Sequence, residues 1–199
     1  MSSLVGQLIP FLLLAAGFLG CTARSIGPVY DDLSELFRDV CGFPMGKNIS
    51  DHHMTASGSL PDNKAWMARF NLGLAGWRPE VSDADQWIRV DLPLKIPVNA
   101  VLTQGSAVGD FYVTKYKVEY SLDAEYWSCV MDEHSQPKIF EGNTDNSTPK
   151  INKFHPAVKA LYIRIQPIEW HKAIALRLEV FGGGETSFFM GRNHQTKSA

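Results

Sequence analysis

Three stretches of this chain repeat with a period of two. In 114–120, Tyr116, Val118 and Tyr120 alternate with Lys115, Lys117 and Glu119. Leu161, Ile163 and Ile165 alternate with Tyr162, Arg164 and Gln166. Ile174, Leu176, Leu178 and Val180 alternate with residues that include Arg177 and Glu179. Successive side chains on a strand point to opposite faces, so each stretch is expected to be a half-buried strand, apolar face inward and polar face outward. Turn-rich segments punctuate the chain: GSLPDN, GLAGW, SLDAEY and EGNTDNSTP. Many short strands with such punctuation, and no long helical pattern, imply an all-β sandwich or barrel. An apolar fraction of 45% over 199 residues is enough for one sizeable core.

The two ends stand apart from this pattern. An apolar run from Leu8 to Leu19 meets no charge before Arg24, with small residues at Cys21 and Ala23. Residues 1–23 therefore read as a signal peptide cleaved after Ala23. An uncleaved anchor is the competing reading, because the uncharged segment is nearly long enough to span a bilayer. Residues 24–40 form a short lead-in in which Tyr30, Leu33, Phe37 and Val40 have roughly helical spacing; an irregular arm fits equally well. The domain proper is expected over 41–183, with residues 184–199 as a flexible tail. Two sequons, at Asn48 and Asn146, fit glycosylation on a secretory route, and Pro149 disfavours use of the second. The expected location is extracellular.

Charge and motif content narrow the function. Nineteen basic against twenty-one acidic side chains give a net charge of -2, without the basic stripe that nucleic acid requires. Six histidines invite a metal or catalytic reading, but His52 and His53 are adjacent, which on a strand sends them to opposite faces, and His134, His155, His171 and His194 stand alone. There is no HExxH, paired CxxC, GxSxG or glycine-rich phosphate loop. The carboxylate pairs Asp31-Asp32 and Asp83 with Asp85 read as a solvated surface or a turn. No enzyme activity, catalytic residue, metal or cofactor is expected.

An ordered series of short motifs is more informative than any of these. Cys41 is followed by Pro44-Met45-Gly46, Met54-Thr55-Ala56-Ser57, ARFN (68–71), Trp77 with Pro79, QWIRVDL (86–92), VLTQG (101–105) and YVTKYKVEYS (112–121). Trp127, IFEGNTD (139–145), YIRIQP (162–167), Trp170 and ALRLEVFGG (175–183) complete it. Together they resemble the discoidin domain, also called the factor V/VIII type C domain, across nearly the whole mature chain. The resemblance implies an eight-stranded, antiparallel, jelly-roll-like β-barrel or sandwich whose chain ends meet at one pole. Protruding loops at the other pole would bind membranes, glycans or proteins, usually without catalysis.

Most matching residues are expected to serve the fold. Trp77, Trp87, Trp127 and Trp170 suit a barrel interior. Arg69, Asp91, Arg164, Arg177 and Glu179 read as paired charges tying strands together. Gly105, Gly142 and Gly182 mark positive φ or close backbone approach. The first loop implied by the resemblance is 58–67 (GSLPDNKAWM) and the second 106–111 (SAVGDF). They supply the candidate ligand-binding residues Leu60, Lys64, Trp66, Met67, Val108, Asp110 and Phe111. For Met67 and Phe111 a plug at the barrel's end competes with a ligand role. Lys64 is offset by Asp62, and Asp110 sits in the second loop. A cell-surface or matrix glycan or protein is therefore expected ahead of an anionic phospholipid surface, where basic side chains each add about 1 kcal/mol.

The family commonly carries a disulfide between the Cys41 position and a cysteine at the domain's end. That end position is Gly183, so this bridge cannot form. Cys129 is then the remaining cysteine. Unpaired thiols, a Cys41–Cys129 bridge and a covalent dimer through Cys41 are the three alternatives.

Overall fold

A computed structural model describes residues 42–183 apart from 47, 48, 71 and 74. The expected signal peptide, lead-in and tail, together with Cys41 and Asn48, lie outside the described residues. Eight strands follow one another: β1 (Phe43–Pro44), β2 (Met54–Ala56), β3 (Ile88–Gln104), β4 (Tyr112–Ser121), β5 (Ser128–Cys129), β6 (Phe140–Glu141), β7 (Lys150–His171) and β8 (Arg177–Gly182). Short 3-10 turns occur at Asp51–His53 and Ala65–Ala68. The strands form one antiparallel sheet in the order β1-β8-β3-β7-β4-β5, with β2 also on β3 and β6 also on β4. This is the expected all-β, eight-stranded, jelly-roll-like architecture.

Two long strands make the sheet wrap. β3 and β7 have 17 and 22 residues, and their pairing shifts register between Asp91 and Ile96 and again between Val98 and Ala100. Such irregularities bend a strand and increase its twist, so β3 and β7 serve both halves of the fold. β8 pairs with β1 through Phe43↔Gly182, which brings the domain's two ends together.

The inward face carries the alternation seen in the sequence. Tyr116, Val118, Ile163, Ile165, Ile174, Leu176, Leu178 and Val180 are buried in one cluster with Trp77, Ile88 and Val98. Tyr116 keeps its hydroxyl satisfied by a 2.8 Å hydrogen bond from Asn152 Nδ2. Burial pushes that hydroxyl's pKa up to about 12.

Three expectations change. The polar residues of β8 do not face water: Arg177 and Glu179 are buried, because loops cover the outer side of this strand. Glu179 accepts the Gly46 amide at 2.7 Å, and Arg177 donates to loop carbonyls. Of the four tryptophans, Trp77 alone is fully buried, while Trp170 is half-buried against the core. Trp87 and Trp127 lie outside the barrel instead. They flank the Arg164 guanidinium at 5.5 and 4.1 Å, while Arg164 pairs with Glu119 across β4 and β7 at 2.6 Å. Finally, His52 and His53 are not on a strand; their 3-10 turn brings the rings to 4.1 Å on the same side as Ser50.

Candidate functional site at the loop pole

Loops gather where β8 begins, at the end opposite β1. Arg177 holds three of them. Its Nε donates to the Gly105 carbonyl at 2.7 Å, Nη1 to Gly73 at 3.4 Å and Nη2 to Asn146 at 3.3 Å. Gly105 fits because a Cβ there would stand 2.6 Å from the Phe111 carbonyl and 2.8 Å from Asn146 Cα. Close approach, not positive φ, explains Gly105, Gly142 and Gly182; none of the three has a left-handed backbone.

The first loop hangs from the core by Trp77, whose Nε1 donates to the Gly58 carbonyl at 2.9 Å. Leu60 N–H then donates to the Arg78 carbonyl at 2.9 Å, and Arg78 N–H to the Asn63 carbonyl at 3.2 Å. Asn63 Nδ2 closes the turn on the Gly76 carbonyl. Lys64 is exposed and precedes the 3-10 turn that buries Ala65 and Ala68. That turn leaves Met67 half-buried and Trp66 38% exposed.

The second loop is built just as locally. Ser106 N–H donates to the Phe111 carbonyl at 2.9 Å, while Ser106 Oγ donates to the Val108 carbonyl. Gly109 turns the chain at φ +98°, a conformation L side chains avoid. Its carbonyl accepts Asn146 Nδ2 at 2.8 Å, so the nitrogen that would carry a glycan at Asn146 is also the donor that braces this loop. Asp145 holds the adjoining turn through the Thr148 and Ser147 amides; the Thr148 amide first, then the Thr148 side chain and the Ser147 amide, pull its pKa down to about 2.

Arg78 joins the two loops. Its guanidinium lies 4.2 Å from the centre of the Phe111 ring, a cation–π contact of about 0.5–2 kcal/mol. Gly109 crowds the same ring, so Phe111 positions Arg78 while Val108 stands out into solvent at 59% exposure. Next to Phe111, the Asp110 carboxylate receives Lys172 Nζ at 2.7 Å and lies 3.0 Å from His171 Nε2. The Lys172 hydrogen bond first, then that of His171, holds the Asp110 pKa below the usual carboxylate value. His171 stacks on Tyr112 at 4.8 Å.

Of the sequence-selected residues, Leu60, Asp110 and Phe111 are tied to one another through Arg78 and the loop backbone. Val108 projects from the same loop. Lys64, Trp66 and Met67 continue the first loop along its flank, where the 3-10 turn packs on β2 and β8. Sequence reasoning missed Arg78, Tyr112, His171 and Lys172. Arg78 had a signal, since it sits between the motif residues Trp77 and Pro79. His171 had none, because its partner Asp110 is 61 positions away. Among the described residues no group of three or more His, Cys, Asp or Glu side chains could hold a metal ion.

Residues 53–180 match the model of the F5/8 type C domain. The chain belongs to that family. Porcine coagulation factor VIII is 39% identical over 153 residues, covering 71% of this chain and 7% of its own. Hemocytin of Bombyx mori is 40% identical over 115 residues, 58% of this chain and 4% of its own. The F5/8 type C domain here thus spans less than a tenth of the length of these relatives. Discoidin II of Dictyostelium discoideum superposes with a TM-score of 0.58 at 26% identity, covering 65% of this chain and 53% of that one. A Clostridium perfringens module solved with GalNAc-β-1,3-galactose shares the fold at 22% identity and a TM-score of 0.54, covering 69% of this chain and 99% of that one.

Proposed function

We propose that this protein is a secreted, non-enzymatic recognition domain that engages a cell-surface or matrix glycan or protein through its loop pole. One observation carries the reading: the apolar tip Val108 sits on a loop pinned from three sides, by Arg78 beneath Phe111, by Lys172 and His171 on Asp110, and by Asn146 on Gly109. Fixing a loop in advance lowers the entropy cost of binding. Mixed charge with projecting apolar side chains suits a sugar or protein surface.

A second reading is peripheral attachment to phosphatidylserine membranes, favoured by the exposure of both Trp66 and Val108. A glycan array run beside sedimentation with phosphatidylserine vesicles separates the two. Array binding that falls at least tenfold in Val108→Asp supports the first reading. Vesicle sedimentation without an array signal replaces it with the second, and ligand binding unaffected by Val108→Asp or Trp66→Ala removes the loop pole from both.

A further inference from the structure

Among the described residues, Arg78 is the arginine whose charge meets an aromatic ring and no polar partner. Arg69, Arg89 and Arg164 each pair with a carboxylate, at 2.6, 2.7 and 2.6 Å. Arg177 spends its donors on three backbone carbonyls. The Arg78 guanidinium, among the described residues, makes neither an ion pair nor a hydrogen bond. Its Nε is sealed from solvent with no partner, while the two terminal nitrogens are not sealed. Asp110, the neighbour of Phe111, is already engaged by Lys172 and His171.

The group is nevertheless held still. Its backbone is clamped by Leu60 on one side and Asn63 on the other, and its guanidinium carbon lies 4.2 Å from the centre of the Phe111 ring. A fixed guanidinium with two free, parallel N–H donors matches an oxygen pair on one atom, the geometry of a carboxylate or a sulfate. We propose that Arg78 is an oxyanion-binding residue and that the ligand of this pole is an acidic glycan, whose carboxylate or sulfate docks on the terminal nitrogens. This rests on the glycan reading above and names its substrate class. Recession favours a sugar over a lipid surface. A half-buried guanidinium reaches only a group that projects past the surrounding loops, whereas headgroup layers are met by exposed basic side chains. Lys64 is the one such lysine on the first loop, and Asp62 sits two residues before it.

The test uses matched pairs: lactose against its 3′-sialylated and 3′-sulfated forms, titrated onto the secreted protein and onto Arg78→Lys and Arg78→Gln. Circular dichroism and thermal melts confirm that the variants fold, and the Val108→Asp protein reports independently on the loop pole. At least one acidic trisaccharide or sulfated disaccharide is expected to bind tenfold or more tightly than lactose. Arg78→Gln should remove that preference and Arg78→Lys should keep only part of it. Equal binding of neutral and acidic forms, or an acidic preference unchanged in Arg78→Gln, overturns the oxyanion assignment while leaving a glycan site standing. No saccharide binding, with Arg78-dependent sedimentation on phosphatidylserine vesicles, overturns the glycan reading itself.

Discussion

Replacing Arg177 with methionine tests how the pole is held together. The guanidinium is buried and has no carboxylate partner among the described residues, so its job is to satisfy three loop carbonyls. Burial works against its charge, lowering its pKa, which means the contacts must outweigh a desolvation cost. The 2.7 Å bond to Gly105 is a charge-assisted one, worth about 1.5–3 kcal/mol, while the contacts at 3.3 and 3.4 Å add little. Methionine keeps most of the stem volume, so the cavity contribution is small. Removing the charge returns part of the desolvation cost. The net expectation is a loss of about 2 kcal/mol, or about 5–8 °C in Tm for a domain of this size. Urea denaturation with unchanged m-value gives the stability directly, and binding to any array hit should fall with it because the loops separate. A loss below about 0.5 kcal/mol would place Arg177 among ordinary surface substitutions and refute the clamp.

Trp77→Ala should cost about 3–5 kcal/mol and reduce the yield of folded protein, while Trp66→Ala should leave the melting temperature nearly unchanged and weaken ligand binding; paired thermal melts and binding curves check both. Trp87→Ala, on the outer face beside Arg164, should fold and lose less than Trp77→Ala in the same melts. Because the Asp110 carboxylate is held below its ordinary pKa, its grip on Lys172 and His171 is complete above the usual carboxylate range and is released only as pH falls below it; amide protection of 106–111, corrected for the intrinsic pH dependence of exchange, should be as high at pH 5 as at neutral pH and fall under stronger acid, and protection already lost at pH 5 would deny the clamp. Cys129 is unbridged and half-buried, and burial first, then the Glu119 carboxylate, raise its thiol pKa. Intact mass after alkylation at pH 8 should therefore show this site modified more slowly than a free cysteine peptide; equal rates would contradict that environment.

The architecture was legible because alternation survives wherever one face of a strand meets the core, as in Tyr116-Val118 and Ile163-Ile165. Alternation misled at β8, whose Arg177 and Glu179 are covered by segments far away in the chain, Gly105 and Gly46 among them. Tryptophan identity misled at Trp87 and Trp127, where a cation on the outer face, not the core, provides the apolar ring with its contact. At the site, the loops were marked by resemblance and the apolar tips by composition. The groups that fix those loops were invisible because they are non-local: Arg78 reaches Phe111, and His171 and Lys172 reach Asp110, only once β3, β4 and β7 are aligned.

The central claim is that binding occurs at the pole built around Arg78, Val108 and Asp110. Hydrogen–deuterium exchange of the purified protein, with and without whichever array glycan or vesicle binds, measures it most directly. Protection concentrated in 58–67, 76–79, 106–111 and 170–173 is the predicted footprint. Protection instead on the outer face carrying Trp87, Arg164 and Trp127, or at the β1–β8 end, with those four segments unchanged, would contradict it.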